Sequence, residues 1–460
     1  MKRIAIIGGG IAGLTAVHEV SRLAHDGASV EAVLFESSPR LGGIVETVRE
    51  GGFVIECGPD AWITEKPWAR ELAEELGLGD EVMPSNDAVR KTYVLMDQQL
   101  KAMPDGMRMM VPVDLAALDQ SELFSAKAKQ AYRDEVNRAA VLKADAPQQD
   151  ESVASFVQRH FGNEVLENIG APLLRGVFGG DVTKLSVRAV MAPFVAMERE
   201  HGSLISAMQA RAVAKDDKDS SVFTTLRSGL GTLVDRMVAT IPKDWVRLGA
   251  TVNSISRKGK SWTIKTSKTE EIFDAVFIAA PVHVARELLR PLDPRSAELM
   301  EMDATSAVVV AFGFPDAAEF TLPPGFGFLV PQESGSLLLA CTFVDQKFGN
   351  RVPQGGRLVR AFFGGDAAER LTSCGNDEIA AVARLELAHI LGPVPEPQVT
   401  VVRRWPKSLP QYAVGHLERM TELNERIHEL DGLWLLGNGY RGVGLPDLIR
   451  DARTAARQIV

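Results

Sequence analysis

The sequence predicts an α/β fold: a Rossmann-like dinucleotide-binding domain with an α+β domain and a helical domain inserted into it. Three observations predict this. A glycine-rich turn joins a short β-branched strand to a helix at the start of the chain. A second apolar strand, again followed by glycines and a helix, stands near the end. Between them the pattern is helical over residues 116–210 and strand-like from Trp245 onward.

The chain has 460 residues, 45% of them hydrophobic, enough for two or three domains with substantial cores. A formal net charge of -9 gives no sign of nucleic-acid binding. Cys57, Cys341 and Cys374 show no CxxC spacing and no histidine-rich surroundings, which argues for a reducing compartment and against a metal site. The opening MKRIAIIGGGIAGL is too broken by glycines for a signal peptide, and no apolar run approaches the ~18–20 residues that span a bilayer. A cytoplasmic protein, or one bound peripherally to a membrane, is expected.

The elements follow in order. Residues 3–7 form a buried parallel strand, residues 11–24 a helix, and residues 30–35 a second strand ended by Glu36, together a βαβ unit. A helix starts near Pro67, with Thr64 as its N-cap, Trp68, Leu72 and Leu76 on one face, and Gly77 at its end. In the helical stretch, Ser152 caps a helix presenting Phe156, Val157, His160 and Phe161. Residues 143–151 and 214–221 are polar and read as exposed loops. Residues 251–256 and 262–266 make a hairpin, and 272–279 one more strand. Residues 307–314, 325–330, 337–343 and 358–363 alternate as in an antiparallel sheet. Residues 433–436 are a short buried strand and 446–460 the final helix.

Gly8, Gly10 and Gly13 spell G-x-G-x-x-G, with Gly9, Ile11 and Ala12 between them. The first glycine permits the tight turn, the second lets backbone approach a pyrophosphate, and the third lets helix and strand pack closely. The helix N-terminus turns its free N–H groups toward phosphate. Glu36 is placed to accept hydrogen bonds from ribose hydroxyls and disfavours a 2′-phosphate. Residues 1–36 therefore read as the ADP-binding half of a dinucleotide site.

Arg40, Leu41, Gly42 and Gly43 complete E-x-x-x-R-x-G-G from Glu36. This extension is similar to that of amine-oxidase-like flavoenzymes, in which the second glycine pair approaches the FAD pyrophosphate and the arginine supports the loop. FAD is the cofactor this implies. Residues 433–445 read LWLLGNGYRGVGL: a strand ends at Gly437, and Gly442-Val443-Gly444 opens the helix that begins near Pro446. That helix N-terminus can face the flavin end and stabilise negative charge near N1. The fold class in full is a two-dinucleotide-binding-domain flavoprotein, with a Rossmann-like FAD domain, an α+β substrate domain and an inserted helical domain.

Further segments narrow the family: Gly58-Pro59-Asp60, then Arg175-Gly176-Val177-Phe178-Gly179-Gly180-Asp181, Glu200-His201-Gly202-Ser203-Leu204, Arg404-Trp405-Pro406, Pro410-Gln411-Tyr412 and Gly415-His416. Their order and spacing resemble the oxygen-dependent porphyrinogen oxidases of haem synthesis, which act on protoporphyrinogen or coproporphyrinogen, over nearly the whole chain. The resemblance implies an FAD domain from residues 1–85, 222–285 and 400–460. A substrate domain would come from 86–114 and 286–399, and a helical domain, membrane-facing in relatives, from 115–221. It implies FAD contacts at Gly8 to Gly13, Glu36, Ser37, Arg40, Gly42, Gly43, Gly58, Pro59, Asp60, Val252, Trp405, Gly437, Val443, Gly444 and Leu445. The implied reaction is a six-electron oxidation of protoporphyrinogen IX or coproporphyrinogen III, with O2 as acceptor and hydrogen peroxide as by-product. Peripheral membrane association and handover of the porphyrin to a ferrochelatase go with it.

No side chain stands out as catalytic. The eight histidines include His160, His201, His283 and His416, none in a nucleophile or metal arrangement. Oxidation of an electron-rich macrocycle asks for flavin and placement more than for a base. A flat apolar ring with carboxylate arms calls for an apolar pocket with a few cations. The resemblance aligns Gly176 with a glycine beside the macrocycle, and puts Phe328, Leu339 and Phe343 in sheet segments that line the pocket. Lys66, Arg90, Lys91 and Arg175 are candidate partners for the propionates. Protoporphyrinogen enzymes commonly carry an arginine just before the aromatic that aligns with Tyr93, where this chain has Thr92. The run from Leu339 to Phe343, followed by Lys347, looks like the coproporphyrinogen branch, whereas Arg175 looks like the other, so both substrates stay open. Two other readings use the same scaffold: an amine or carotenoid oxidoreductase, and a non-catalytic flavin-binding protein. Tyr440 is the sole aromatic in residues 437–446, short of the cage expected of an amine oxidase.

Overall fold

Strand β1 (Lys2–Ile7) lies at the centre of a five-stranded, fully parallel sheet in the computed structural model, which describes residues 1–214 and 221–459. Its neighbours are β2 (Val30–Glu36) and the strand Ala275–Ile278, and the edges are Val246–Leu248 and Leu433–Leu435. One face carries Ile4, Ile6, Leu34 and Phe277 against α1 (Ile11–His25), the helix Gly231–Thr240 and the final helix Leu445–Arg457. The other carries Ile7, Val33, Phe35 and Ile278 against the antiparallel strands Val252–Lys258, Ser261–Thr266 and Glu270–Phe273. Burial on both faces is why β1 reads as an unbroken apolar run.

Two local expectations change. The strand expected at 272–279 is two strands that part at Asp274, one in each sheet. The Asp274 carboxylate accepts from the Arg3 N–H at 2.7 Å, which pins that corner to β1. The helix Trp68–Glu75 has Pro67 at its N-cap; the Thr64 hydroxyl instead meets that of Thr224 at 2.8 Å. The polar stretch expected at 214–221 lies outside the described residues at 215–220, as does the last residue of the final helix, Val460.

A second, seven-stranded sheet runs in the order Val399–Pro410, Ala304–Phe314, Arg357–Gly364, Ala340–Phe343, Gly327–Leu329, Thr92–Met96, Gln99–Ala102. It is mixed rather than wholly antiparallel, because Gly327–Leu329 runs parallel to Thr92–Met96. Residues 400–410, grouped by the resemblance with the FAD domain, form an edge of this sheet through pairing with Ala304–Phe314. One face, with Tyr93, Phe328, Cys341 and Phe343, packs on Ile379, Ala383 and Leu387 of the helix Asn376–Leu391. The other packs Ala311, Leu358 and Val401 on Phe53, Ile55 and Cys57, and so faces the nucleotide side.

The helical unit covers residues 115–214. Its helix Val153–Phe161 is capped by the Ser152 hydroxyl, which accepts from the Ser155 N–H. Among the described residues no helix is long and apolar enough to cross a membrane. His160 is fully buried between two carboxylates, Glu135 at 3.0 Å from Nδ1 and Glu198 at 3.2 Å from Nε2. Burial pulls its pKa down, but hydrogen bonds to Glu135 and Glu198 outweigh that and raise it above its ordinary value. The stability this contributes is present below the unfolded value of ~6.5 and is lost as pH rises through the higher folded value. Thermal unfolding should therefore show Tm falling on the alkaline side of about pH 7. His160→Ala should cost about 2–4 kcal/mol by opening a cavity and removing the bridge between two buried carboxylates, which keep only Ser203 and Leu204 at Glu135 and Arg159 at Glu198; an unchanged Tm would sink this assignment.

Candidate active site

The three fingerprint glycines occupy three different environments. Gly8 has φ +106°, and a Cβ there would lie 2.6 Å from the Ala279 carbonyl oxygen. A Cβ on Gly13 would lie 1.9 Å from the Gly8 carbonyl oxygen, so only glycine lets α1 rest on the turn. A Cβ on Gly10 would meet nothing within 4 Å. That open space lies at the N-terminus of α1, which no side chain caps, so its first-turn N–H groups are available to an anion. Gly9, by contrast, lies against Leu41 and Glu36.

Glu36 holds the turn from the other side. Its carboxylate accepts from the Gly9 N–H at 2.6 Å and the Ser38 N–H at 2.7 Å, with the exposed Ser37 hydroxyl at 3.4 Å. The Ala250 N–H donates to the Glu36 carbonyl, which brings buried Val252 to the end of β2. The second glycine pair folds back onto the first loop. Gly42 and Gly43 both have positive φ, +101° and +59°. The Gly42 N–H donates to the Gly9 carbonyl at 2.8 Å, and a Cβ on Gly43 would lie 3.0 Å from the Gly10 Cα. The Arg40 guanidinium donates to the carbonyls of Leu41, Gly43 and Val45, pairs with Glu46 at 3.3 Å, and lies 5.8 Å from the Trp405 ring centre. The Trp405 indole N–H in turn donates to the Cys57 carbonyl at 2.7 Å.

The end of the chain closes the other side. Gly437 has φ +125°, and Gly444 begins the final helix with no side-chain cap. Val443 precedes it, and Leu445 is buried in the shared core. Asp447, in the first turn, is buried and pairs with Lys66 at 2.6 Å. Lys66 is therefore committed to this helix and corrects the expectation of a free propionate partner. The His416 Nε2–H donates to the Tyr440 carbonyl, 3.1 Å away, and the ring stacks on Tyr412 at 4.0 Å. Burial holds its pKa down at about 4, so the ring is neutral.

The family-specific segments meet at one place. A Cβ on Gly180 would overlap the Gln411 side chain, whose amide N–H groups donate to the Phe178, Leu409 and Thr305 oxygens. This joins the helix Ala171–Phe178 to the seven-stranded sheet. Gly176 is exposed, and a Cβ there would be 3.9 Å from Leu329, on the face of the sheet toward the nucleotide side. Arg175 beside it has no hydrogen bond or ion pair among the described residues, and burial lowers its pKa against a weaker pull from Asp181. The Lys91 ammonium likewise has no partner among the described residues, whereas Arg90 pairs with Asp87 at 3.3 Å.

Phe328 and Phe343 are corrections. Both are buried in the core of the opposite face, 6.1 Å apart, against the helix Asn376–Leu391. Strand alternation puts Leu329, Thr342 and Arg360 on the facing side instead. Leu339 is half-buried and packs against Gly364. Sequence reasoning also missed Arg351 and Arg360, each 1% exposed, which join Glu56, Asp60 and Lys347 in a buried charge cluster. A lone arginine in an apolar strand such as Arg357–Gly364 is the signal that could have found it.

Two uncapped helix N-termini, an open cradle at Gly10 and a second glycine pair laid across it define the site of a flavin-dependent oxidoreductase. Residues 11–460 match the family described as flavin containing amine oxidoreductase; the chain belongs to that family, and FAD is its cofactor. Within it, the chain is 33% identical to coproporphyrinogen III oxidase of Bacillus subtilis (strain 168), over 99% of this chain and 97% of that one. It is 28% identical to the coproporphyrinogen III oxidase of Staphylococcus aureus (strain NCTC 8325 / PS 47), over 100% and 99%. The crystal structure of a putative protoporphyrinogen oxidase from Exiguobacterium sp. 255-15 superposes with a TM-score of 0.87 at 30% identity, covering 100% and 98%.

The glycine environments generate a paired test. Gly10 has φ -68°, which alanine adopts freely. Gly10→Ala should leave the Tm of the FAD-free protein within about 2 °C and weaken FAD binding at least ~100-fold. Gly13→Ala should cost roughly 2–4 kcal/mol in urea unfolding even without FAD, because its clash is with backbone.

Proposed function

We propose that the protein is an FAD-dependent porphyrinogen oxidase of haem synthesis, with coproporphyrinogen III its preferred substrate over protoporphyrinogen IX. The observation that carries this reading is the Arg175-Gly176 step of the helix Ala171–Phe178, open to the facing side of the sheet at Leu329. Gly176 leaves room for a flat ring where any side chain would intrude. Arg175, a half-buried guanidinium without a partner among the described residues, gains from a carboxylate arm. Lys91 offers a second cation. A substrate with four propionates uses more such groups than one with two.

The first-turn N–H groups of α1 and the Gly42-Gly43 loop would hold the pyrophosphate, Glu36 the ribose, and the Gly442–Leu445 turn the flavin end. When bound, FAD would supply a hydride acceptor for a ring carbon and an electron donor to dioxygen, which is reduced to hydrogen peroxide. The protein's task is to place the ring carbon and exclude competing geometry. Neutral His416 is held by Tyr440 and Tyr412 and takes no proton from substrate. Peripheral membrane contact and transfer of the porphyrin to a ferrochelatase belong to the same proposal through the family resemblance.

Anaerobic mixing should bleach the bound flavin with coproporphyrinogen III faster than with protoporphyrinogen IX; bleaching by neither, with FAD retained, refutes the reading. Arg175→Met should raise KM for coproporphyrinogen III about tenfold while kcat stays within about threefold. An unchanged KM would remove Arg175 from the substrate site.

A further inference from the structure

Four charged side chains are buried, and a fifth, Asp60, is partly buried, where the seven-stranded sheet meets residues 56–60. Lys347, Arg351 and Arg360 bring positive charge, and Glu56 and Asp60 bring carboxyls. Lys347 Nζ lies 2.9 Å from Asp60 Oδ2, and Arg360 Nη1 lies 3.4 Å from the same oxygen. Arg351 Nη1 lies 3.4 Å from Glu56 Oε1, while the Thr47 hydroxyl and the Leu230 N–H each donate to Glu56 at 2.7 Å. Burial raises the Glu56 pKa and Arg351 opposes it only in part. Burial also pushes Asp60 up, but Lys347 and Arg360 more than reverse it. With three cations against at most two carboxylates, the cluster keeps a net positive charge.

A buried net charge is costly unless a partner uses it. Nε of Arg351, Nη1 of Arg351 and Nε of Arg360 make no hydrogen bond among the described residues. The path of the chain identifies the partner. A Cβ on Gly58 would lie 2.0 Å from the Ile44 carbonyl oxygen, one residue beyond the Gly42-Gly43 loop. Farther on, Lys66 pairs with Asp447 in the first turn of the final helix. Residues 58–66 therefore run from the pyrophosphate loop to the helix at the flavin end. The cluster sits directly behind that run: Arg360 donates to the Gly58 carbonyl, and Lys347 holds Asp60.

We propose that Lys347, Arg351 and Arg360 tune the bound FAD electrostatically: their buried net positive charge favours the reduced, anionic cofactor and raises its reduction potential. Two electrons and one proton enter the cofactor together, so its charge falls by one, and a fixed positive charge in a poorly screened interior stabilises that state. The N-terminus of the final helix acts in the same direction. The inference rests on FAD as the cofactor and not on the identity of the substrate.

The test needs no porphyrinogen. Holoprotein carrying Arg360→Met, Arg360→Lys, Lys347→Met or Asp60→Asn is titrated anaerobically against a redox dye, and separately with sulfite, which adds to flavin N5 and leaves an anionic ring. Arg360→Met and Lys347→Met should lower the potential and weaken sulfite binding about tenfold, while Arg360→Lys stays within about threefold of wild type. Asp60→Asn, which adds net positive charge, should shift both in the opposite direction. Simple damage to the site would move every variant the same way. If Arg360→Met fails to retain FAD, the opposed pair Lys347→Met and Asp60→Asn decides. Potentials and sulfite affinities unchanged in that pair, or shifted in one direction by both, overturn the proposal. Sulfite and redox shifts of opposite sign in a protein that no porphyrinogen bleaches would uphold it while refuting the substrate reading.

Discussion

Helix α1 can lie on the turn after β1 only because neither Gly8 nor Gly13 has a side chain, and most of the molecule is arranged around that contact. The turn brings the N-terminus of α1 to the carboxyl end of the parallel sheet. Glu36 then clamps Gly9 from β2, and the Gly42-Gly43 loop folds back until its backbone touches Gly10. The final helix packs along α1 in the same core, and its N-terminus, like that of α1, has no side-chain cap. The sheet that holds both helices takes its strands from the beginning, middle and end of the chain.

The join between this sheet and the seven-stranded one is ionic as well as apolar. Phe53, Ile55 and Cys57 meet Ala311, Leu358 and Val401. Around them, Arg403 grips Glu46, Arg40 lies over Trp405, and the cluster of Lys347, Arg351 and Arg360 surrounds Asp60 and Glu56. Breaking the Arg351–Glu56 pair strands a charge in low dielectric, so the seam resists sliding more than a greasy interface would. Gly176 meets Leu329 on the same facing surface of the sheet.

The adenosine side of the site was legible because its requirements are local. A strand, three glycines, a helix and an acid lie within a few dozen residues, and Gly8 and Gly13 each answer to a contact that the fold makes. The C-terminal strand, glycines and helix were legible for the same reason. The substrate side was not. Phe328 and Phe343 lie in the right strands but on the wrong face, because alternation gives two faces and does not say which one looks at the cofactor. Lys66 looked free in sequence and is bound to Asp447, a residue near the other end of the chain. The edge strand Val399–Pro410 depends on pairing with Ala304–Phe314 and carries no local turn signal that announces it.

Steric rules and short-range periodicity were enough to specify the nucleotide fold and its glycine turn, since these are set by backbone freedom and side-chain size at neighbouring positions; the flavin class came with the resemblance of residues 36–43 to known flavoenzymes. Pairing of charges and the facing of strands were settled in three dimensions. Arg360 becomes a partner of Asp60 only when its strand's register turns that side chain toward a loop far away in the chain, and Lys347 joins them from the short helix Val344–Lys347. Electrostatic energy depends on distance through space, and that distance exists only once the two sheets have packed.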